Sequence, residues 1–142
     1  MEKLIINKGY KEYAINDDET AVIRVKTTDF SLIDRLNSVK ERVAGITAEL
    51  EKLKKDADDK IILSALKDAD CKVRHELDEV FASPVSDIVF EEMNCLSFAG
   101  GQPVALNFLE AIIPEITKDL NAEQKAATAK ISKYTDAARQ YK

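Results

Sequence analysis

Leu32-Ile33-Asp34-Arg35-Leu36-Asn37-Ser38-Val39-Lys40-Glu41-Arg42-Val43-Ala44-Gly45-Ile46-Thr47-Ala48-Glu49-Leu50-Glu51-Lys52-Leu53 decides the fold, because its apolar residues fall at 32, 36, 39, 43, 46, 50 and 53. Spacings of 4, 3, 4, 3, 4 and 3 over three heptads are the seam of a coiled coil or of an antiparallel helical hairpin. Just upstream, Thr27-Thr28-Asp29 offers side-chain oxygens to the free N–H groups of a first turn, and Asp29 adds negative charge at the positive end of the helix dipole. A helix from Phe30 to Lys55 would be about 39 Å long at 1.5 Å per residue, more than a compact domain of this size needs. Arg35, Lys40, Arg42, Glu49 and Lys54 flank the seam where salt bridges set partner orientation, and Gly45 lies on the outer face.

Downstream, Asp56-Ala57-Asp58-Asp59 breaks the heptad phase with residues that favour caps, which predicts a turn. A second helix from about Lys60 carries Ile62, Leu66, Ala69, Val73, Leu77 and Val80 at close to 3.6 residues per turn, and it can fold back on the first. Ser83-Pro84 ends it, and a short helix through Val85, Ile88, Val89 and Phe90 follows. Cys95 to Gln102 reads as a loop containing Gly100-Gly101, and Pro103 leads a helix that Pro114 should kink or end. Beyond Asn121 the chain is polar and alanine-rich, with Ile131 and Tyr134 as its only anchors.

Upstream, Leu4-Ile5-Ile6, Glu12-Tyr13-Ala14-Ile15 and Ala21-Val22-Ile23-Arg24-Val25 read as three short strands. Gly9 and Asn16-Asp17-Asp18-Glu19 separate them as turns, which predicts an antiparallel meander. The expected fold is mainly α with this small β element, an α+β class. Residues 1–117 would form a single globular domain: β-meander 3–25, helical hairpin 29–82, helices 84–117. Residues 118–142 would form a basic polar helix or tail.

With 142 residues, 45% of them hydrophobic and 33% charged, the chain suits one folded domain with a charged helical surface. Four glycines and three prolines are too few for an all-β architecture. The net charge of −5 disfavours nucleic acid and anionic membranes. It is unevenly spread: from Lys118 onward six basic residues face three acidic ones, leaving 15 basic against 23 acidic before it. No apolar run approaches the roughly 20 residues of a membrane span, and Leu4-Ile5-Ile6 is too short for a signal peptide, so a cytoplasmic protein is expected. Cys71 and Cys95 both read as small core residues without a structural disulfide.

Cys71 and His75 are spaced i, i+4 on a predicted helix, near Glu76 and Glu79, and could present two metal ligands on one face. A site needs three or four ligands, and two cysteines with one histidine leave few, so no metal or cofactor is expected. A Cys–His nucleophile pair on one helix face has no glycine-rich cradle to serve as an oxyanion site. Asp56, Asp58 and Asp59 read as a solvated turn, Glu91-Glu92 as a helix surface, and Gly100-Gly101 lacks the Lys-Ser/Thr ending of a phosphate loop. The chain is therefore expected to be non-catalytic and to work by binding. Leu36, Val39, Val43, Ile46, Leu50 and Leu53 of the seam, with Phe98, Gly100 and Gly101 of the glycine loop, are the expected partner-binding residues. The seam can pack on the chain's own second helix, on another molecule, or on both.

Two stretches carry a family resemblance. Gly9-Tyr10-Lys11-Glu12-Tyr13-Ala14-Ile15-Asn16, through Ala21-Val22-Ile23-Arg24-Val25 to Thr28-Asp29-Phe30 and Asp34-Arg35-Leu36, resembles the opening of small tail assembly chaperone-like proteins of long-tailed bacteriophages and prophages. Asp78-Glu79-Val80-Phe81 and then Phe98-Ala99-Gly100-Gly101-Gln102-Pro103-Val104-Ala105-Leu106-Asn107-Phe108-Leu109-Glu110-Ala111 is similar to the family's C-terminal Phe-Gly-Gly segment and helix. The chain departs from the pattern at Lys26-Thr27, where relatives tend to have Asn-Pro, at Ala82-Ser83, where they have more glycine, and at Ala99, where they have Gly. The resemblance implies a protein of the infected host's cytoplasm that binds the tape-measure protein while tail-tube subunits assemble, carries no active site and is absent from the finished virion. A homo-oligomer is a further expected partner. The competing expectation is a structural minor tail or head-completion protein that forms a permanent oligomer.

Overall fold

Helix α1 (Phe30–Asp56) starts where the capping argument puts it: the Asp29 carboxylate accepts from the Ser31 backbone N–H at 3.0 Å and from the Ser31 hydroxyl at 2.7 Å. A computed structural model describes residues 1–140 of the chain, with side chains for all of these except residues 134 and 136–140. Helix α2 (Asp59–Phe81) is capped by Asp58, which accepts from Ile61 N–H at 3.0 Å. The turn between them is only Ala57-Asp58, so α1 and α2 form an antiparallel hairpin. Leu32, Leu36, Val39 and Val43 of α1 are buried, as are Ala69, Val73 and Leu77 of α2. An Arg42–Glu76 ion pair at 2.8 Å ties the two helices from outside; exposed as it is, it contributes about 1 kcal/mol at most.

Upstream, β1 (Tyr10–Ile15) pairs antiparallel with β2 (Asp18–Lys26) across a two-residue turn in which Asn16 and Asp17 take φ of 53° and 61°. Tyr13, Ile15, Ile23 and Val25 face the interior, where Ile23 and Val25 are buried. The fold is thus mainly α with a small antiparallel sheet, as expected, but the sheet is a hairpin and not a three-stranded meander. Leu4-Ile5-Ile6 forms no strand and is exposed. Its route is set at Gly9, whose carbonyl accepts from the Thr27 N–H and hydroxyl at 3.2 Å, while the Lys8 carbonyl accepts from the Thr28 hydroxyl at 3.0 Å. Gly9 has φ +75°, and a Cβ there would sit 2.3 Å from a Thr28 side-chain carbon, so only glycine fits. The chain therefore follows β2 to Thr28, and residues 4–6 lie beyond the ladder.

Helix α3 (Val85–Phe90) is capped through space by Asp78 of α2, whose carboxylate accepts from the Ser86 N–H at 2.8 Å and its hydroxyl at 2.9 Å. The expected glycine loop is a second small hairpin: β3 (Phe98–Ala99) pairs with β4 (Gln102–Pro103), and Gly100 and Gly101 take φ of +65° and +87° between them. Helix α4 (Val104–Gln140) then runs through Pro114 without ending. The exposed ring forfeits one backbone hydrogen bond, but Ile112, Ile116 and Leu120 on the buried face hold both flanks to the core. The expected boundary after residue 117 falls inside this helix, and packing continues to Asp119 and Leu120. Residues 121–133 are exposed, including Ile131 at 64%, so Ile131 anchors nothing within the chain. The Tyr134 side chain, expected as the companion anchor, lies outside the described residues.

Asp119 joins α4 to the sheet. Its carboxylate is buried and accepts from Lys11 Nζ at 2.6 Å and from the Tyr13 hydroxyl at 3.0 Å. Burial alone would raise the Asp119 carboxyl, but these hydrogen bonds and the Lys11 charge outweigh it and hold it below the ordinary carboxylate range. Burial, the same hydrogen bond and the nearby negative charge push Tyr13 up to about 12. The depressed carboxyl contributes stability that is present above its unfolded value near 3.8 and is lost as pH falls through its folded value. The raised phenol contributes stability present below 10 and lost as pH rises toward about 12. Asp119→Asn should therefore flatten the acid limb of the stability curve and bring one tyrosinate absorbance step, absent in Tyr13→Phe, down toward 10. An unchanged step in Asp119→Asn would contradict the pairing.

Ala82 ends α2 in the left-handed region at φ 52°, with its N–H bonded to the Asp78 and Glu79 carbonyls, a position where glycine carries no Cβ penalty. The exposed site gives Ala82 no compensating packing. Ala82→Gly should stabilise the protein by about 0.5–1 kcal/mol, a rise of about 2–4 °C in Tm. A fall in Tm measured by circular dichroism would show that the cap is not strained.

Candidate functional site

The partner-binding residues expected from sequence divide by depth. Leu36, Val39 and Val43 are wholly buried, so this half of the seam presents no surface to another molecule. Its covers are α2 and α4, which both pack on α1. Ile46, Leu50 and Leu53, further along the same stripe, are half-buried. Phe98 is 58% exposed, and Gly100 and Gly101 form the exposed tip of the β3–β4 hairpin.

Leu50 and Phe98 lie on one open groove of about 630 Å³ between the tip of the α1–α2 hairpin and the segment from Glu92 to Phe98. Its apolar lining is Leu50, Leu63, Leu66, Leu96 and Phe98. Glu51, Lys54, Lys67 and Glu92 supply charges of both signs around it. Gly100 and Gly101 do not line it, and Ile46 and Leu53 border a smaller depression shared with Ala65 and Ala69. Leu63, Leu66 and Leu96 are the lining residues that the sequence reading did not assign to partner binding. Leu63 had a signal: it is an apolar residue that the buried stripe of α2 does not account for.

Arg74 holds the far wall of this groove. Its guanidinium donates to Asp70 Oδ1 at 3.1 Å, to Asp87 Oδ1 at 3.3 Å and to the backbone carbonyls of Glu91 at 2.8 Å and Met93 at 2.5 Å, and it lies over the Phe90 ring at 5.6 Å. Asp70 in turn accepts from the Cys95 backbone N–H at 2.8 Å, and the Asn94 side chain donates to the Leu66 carbonyl at 3.1 Å. Burial alone would raise Asp70, but the Cys95 and Arg74 partners bring it below the ordinary range. At the other end, the Cys95 and Ser97 carbonyls accept from Ala105 and Val104, which satisfies free N–H groups at the start of α4. Asn107 Nδ2 donates to the Ala99 carbonyl at 2.9 Å, fixing the small hairpin on α4.

Cys95 is buried as expected, and burial with the adjacent Asp70 carboxylate pushes its thiol up, so it stays a neutral core group. Cys71 is exposed, contrary to the expectation of a core residue, because it falls between the buried positions 69 and 73 and points outward. His75 shares that outer face and pairs with Glu79 at 2.9 Å. Among the described residues no three His, Cys, Asp or Glu side chains are grouped to hold a metal ion, and no helix is long and apolar enough to cross a membrane. No protein-family model, curated protein or solved structure matches the chain.

Arg74→Ala would strand the Asp70 carboxylate and free two carbonyls, a loss of about 3–5 kcal/mol. Arg74→Lys should restore less than half of it, since one ammonium cannot reproduce a five-donor fork. Urea unfolding midpoints measure both, and equal midpoints for the lysine variant and the parent would show that Arg74 acts as a simple charge.

Proposed function

We propose that this chain is a non-catalytic tail assembly chaperone-like protein of a long-tailed bacteriophage or prophage, acting in the host cytoplasm on the tape-measure protein, with tail-tube subunits as further partners. The observation that carries the reading is the open groove lined by Leu50, Leu63, Leu66, Leu96 and Phe98 on a chain whose surface is otherwise heavily charged. Such a groove suits the apolar stripe of an amphipathic helix, with leucines as anchors and the flanking charges of both signs setting register. A tape-measure protein is a long helical partner of that chemistry. The resemblance of Gly9–Leu36 and Phe98–Ala111 to the chaperone-like family supports the same partner.

Co-expression with the tape-measure protein of the same gene cluster tests it. The wild-type chain should co-purify, and Phe98→Asp and Leu63→Asp should each lower capture at least about tenfold, since a charge opposite an apolar anchor costs more than about 1.4 kcal/mol. Both side chains are exposed, so circular dichroism should stay unchanged. No co-purification, with normal tails after deletion of the gene, would refute the proposal. Finding the chain in purified particles would favour a structural tail or head-completion component instead.

A further inference from the structure

Two unsatisfied surfaces occur at opposite ends of strand β1. Leu4, Ile5 and Ile6 are 90%, 100% and 68% exposed, an apolar triplet with no cover among the described residues. The sheet has two strands only, so the outer edge of β1 has no strand partner among the described residues. Beside the Tyr13–Ile15 end of β1 lies a cleft of about 600 Å³, walled by α4 and lined by Ile15, Ile23, Val89, Val104, Phe108 and Ile112. An open strand edge next to an apolar cleft is the receiving half of a β-augmentation site.

We propose that the Leu4–Ile6 segment of one protomer adds as a strand to the β1 edge of a second copy of this chain, with Ile5 opposite Ala14, and seats Leu4 and Ile6 in the cleft beside Tyr13 and Ile15. Register points to a second copy and not to the same one. Lys8 and Gly9 are tied to Thr28 and Thr27 at the far end of β1, roughly 23 Å from Ile15 at about 3.3 Å per residue. Were the chain to reverse at Asn7-Lys8, in-register pairing would set Ile6, Ile5 and Leu4 opposite Gly9, Tyr10 and Lys11. Charged Glu2 would then face Tyr13, and the triplet would miss the cleft. A strand from another protomer has no such constraint and can slide until the triplet lies opposite residues 13–15. Each protomer carries both halves, so the exchange covers every exposed triplet at once.

Sedimentation velocity of the full chain should give a mass at least twice 15.9 kDa. Ile6→Asp should return it to 15.9 kDa with unchanged circular dichroism, because an exposed residue outside the core contributes nothing to the fold of one protomer. In a Cys71→Ser background, a chain with Ile5→Cys mixed with a chain with Ala14→Cys should form a covalent dimer on mild oxidation, and neither chain should do so alone. A full chain that sediments as a monomer would overturn the proposal. So would an Ile6→Asp chain that stays associated, or cross-linking found only inside a chain carrying both cysteines. Phe98→Asp leaves the association unchanged, which separates this contact from the groove.

Discussion

The apolar stripe on α1 is longer than the body that covers it, and most of the molecule is arranged around that mismatch. From Leu32 to Leu53 the stripe runs about 32 Å at 1.5 Å per residue. Leu36, Val39 and Val43 are fully enclosed by α2 and α4, whereas Ile46, Leu50 and Leu53 are only half covered. Each fully buried Leu or Val contributes about 1.5–3 kcal/mol, so the first half of the stripe is the main stabilising interaction of the hairpin. The second half has only α2 and the loop before α4 as neighbours, and where these fail to close over it the groove opens. Core and candidate site are thus two stretches of one helix face.

The loop that forms the far wall buries Cys95 and Leu96 in the core, and its backbone is held by polar side chains of α2. Arg74 and Asp70 stand one helical turn apart and together satisfy three backbone groups between Glu91 and Cys95. Mutual neutralisation makes this tolerable at low exposure, since a part-buried guanidinium or carboxylate alone would be strongly unfavourable. Asp119 does the same for the sheet. A two-stranded hairpin is marginal by itself, and Lys11 and Tyr13 bind it to α4 while Ile23 and Val25 enter the core. Tyr13 and Cys95 are raised first by burial and then by a neighbouring carboxylate, while Asp70 and Asp119 are lowered by hydrogen bonds and a neighbouring cation, so all four shifts have a structural origin.

What the sequence disclosed follows the range of each interaction. Asp29 and Asp58 act within three residues, so both helix starts were legible, as was the seam, whose period is a property of one helix. Leu4-Ile5-Ile6 has the composition of a strand, but whether it pairs depends on where Thr27 and Thr28 hold Lys8 and Gly9, some 20 residues away in sequence. Pro114 carries a local veto on helix that the burial of Ile112, Ile116 and Leu120 overrides. Leu50 and Leu63 meet across the α1–α2 turn, and Phe98 joins them through the segment that Arg74 holds, a juxtaposition that no local pattern announces. Of the expected contact residues, the local pattern could identify an apolar face but not which half of it the fold would enclose.

A chain of 142 residues with 33% charged side chains can bury only so much of its apolar surface. Isolated exposed apolar side chains would need no explanation. Phe30, Ile61 and Ile131 are of that kind, but others are grouped: Leu63 and Phe98 on the groove, Leu4 to Ile6 at the end of the sheet. The two groups differ in geometry, since one is a trough between helical elements and the other an extended segment beside an open strand edge. A helix cannot satisfy a strand edge, whose backbone groups need an extended partner, and a single strand cannot fill a trough as wide as a helix face. Covering both groups would take two kinds of contact, and their separation would let either be occupied without displacing the other.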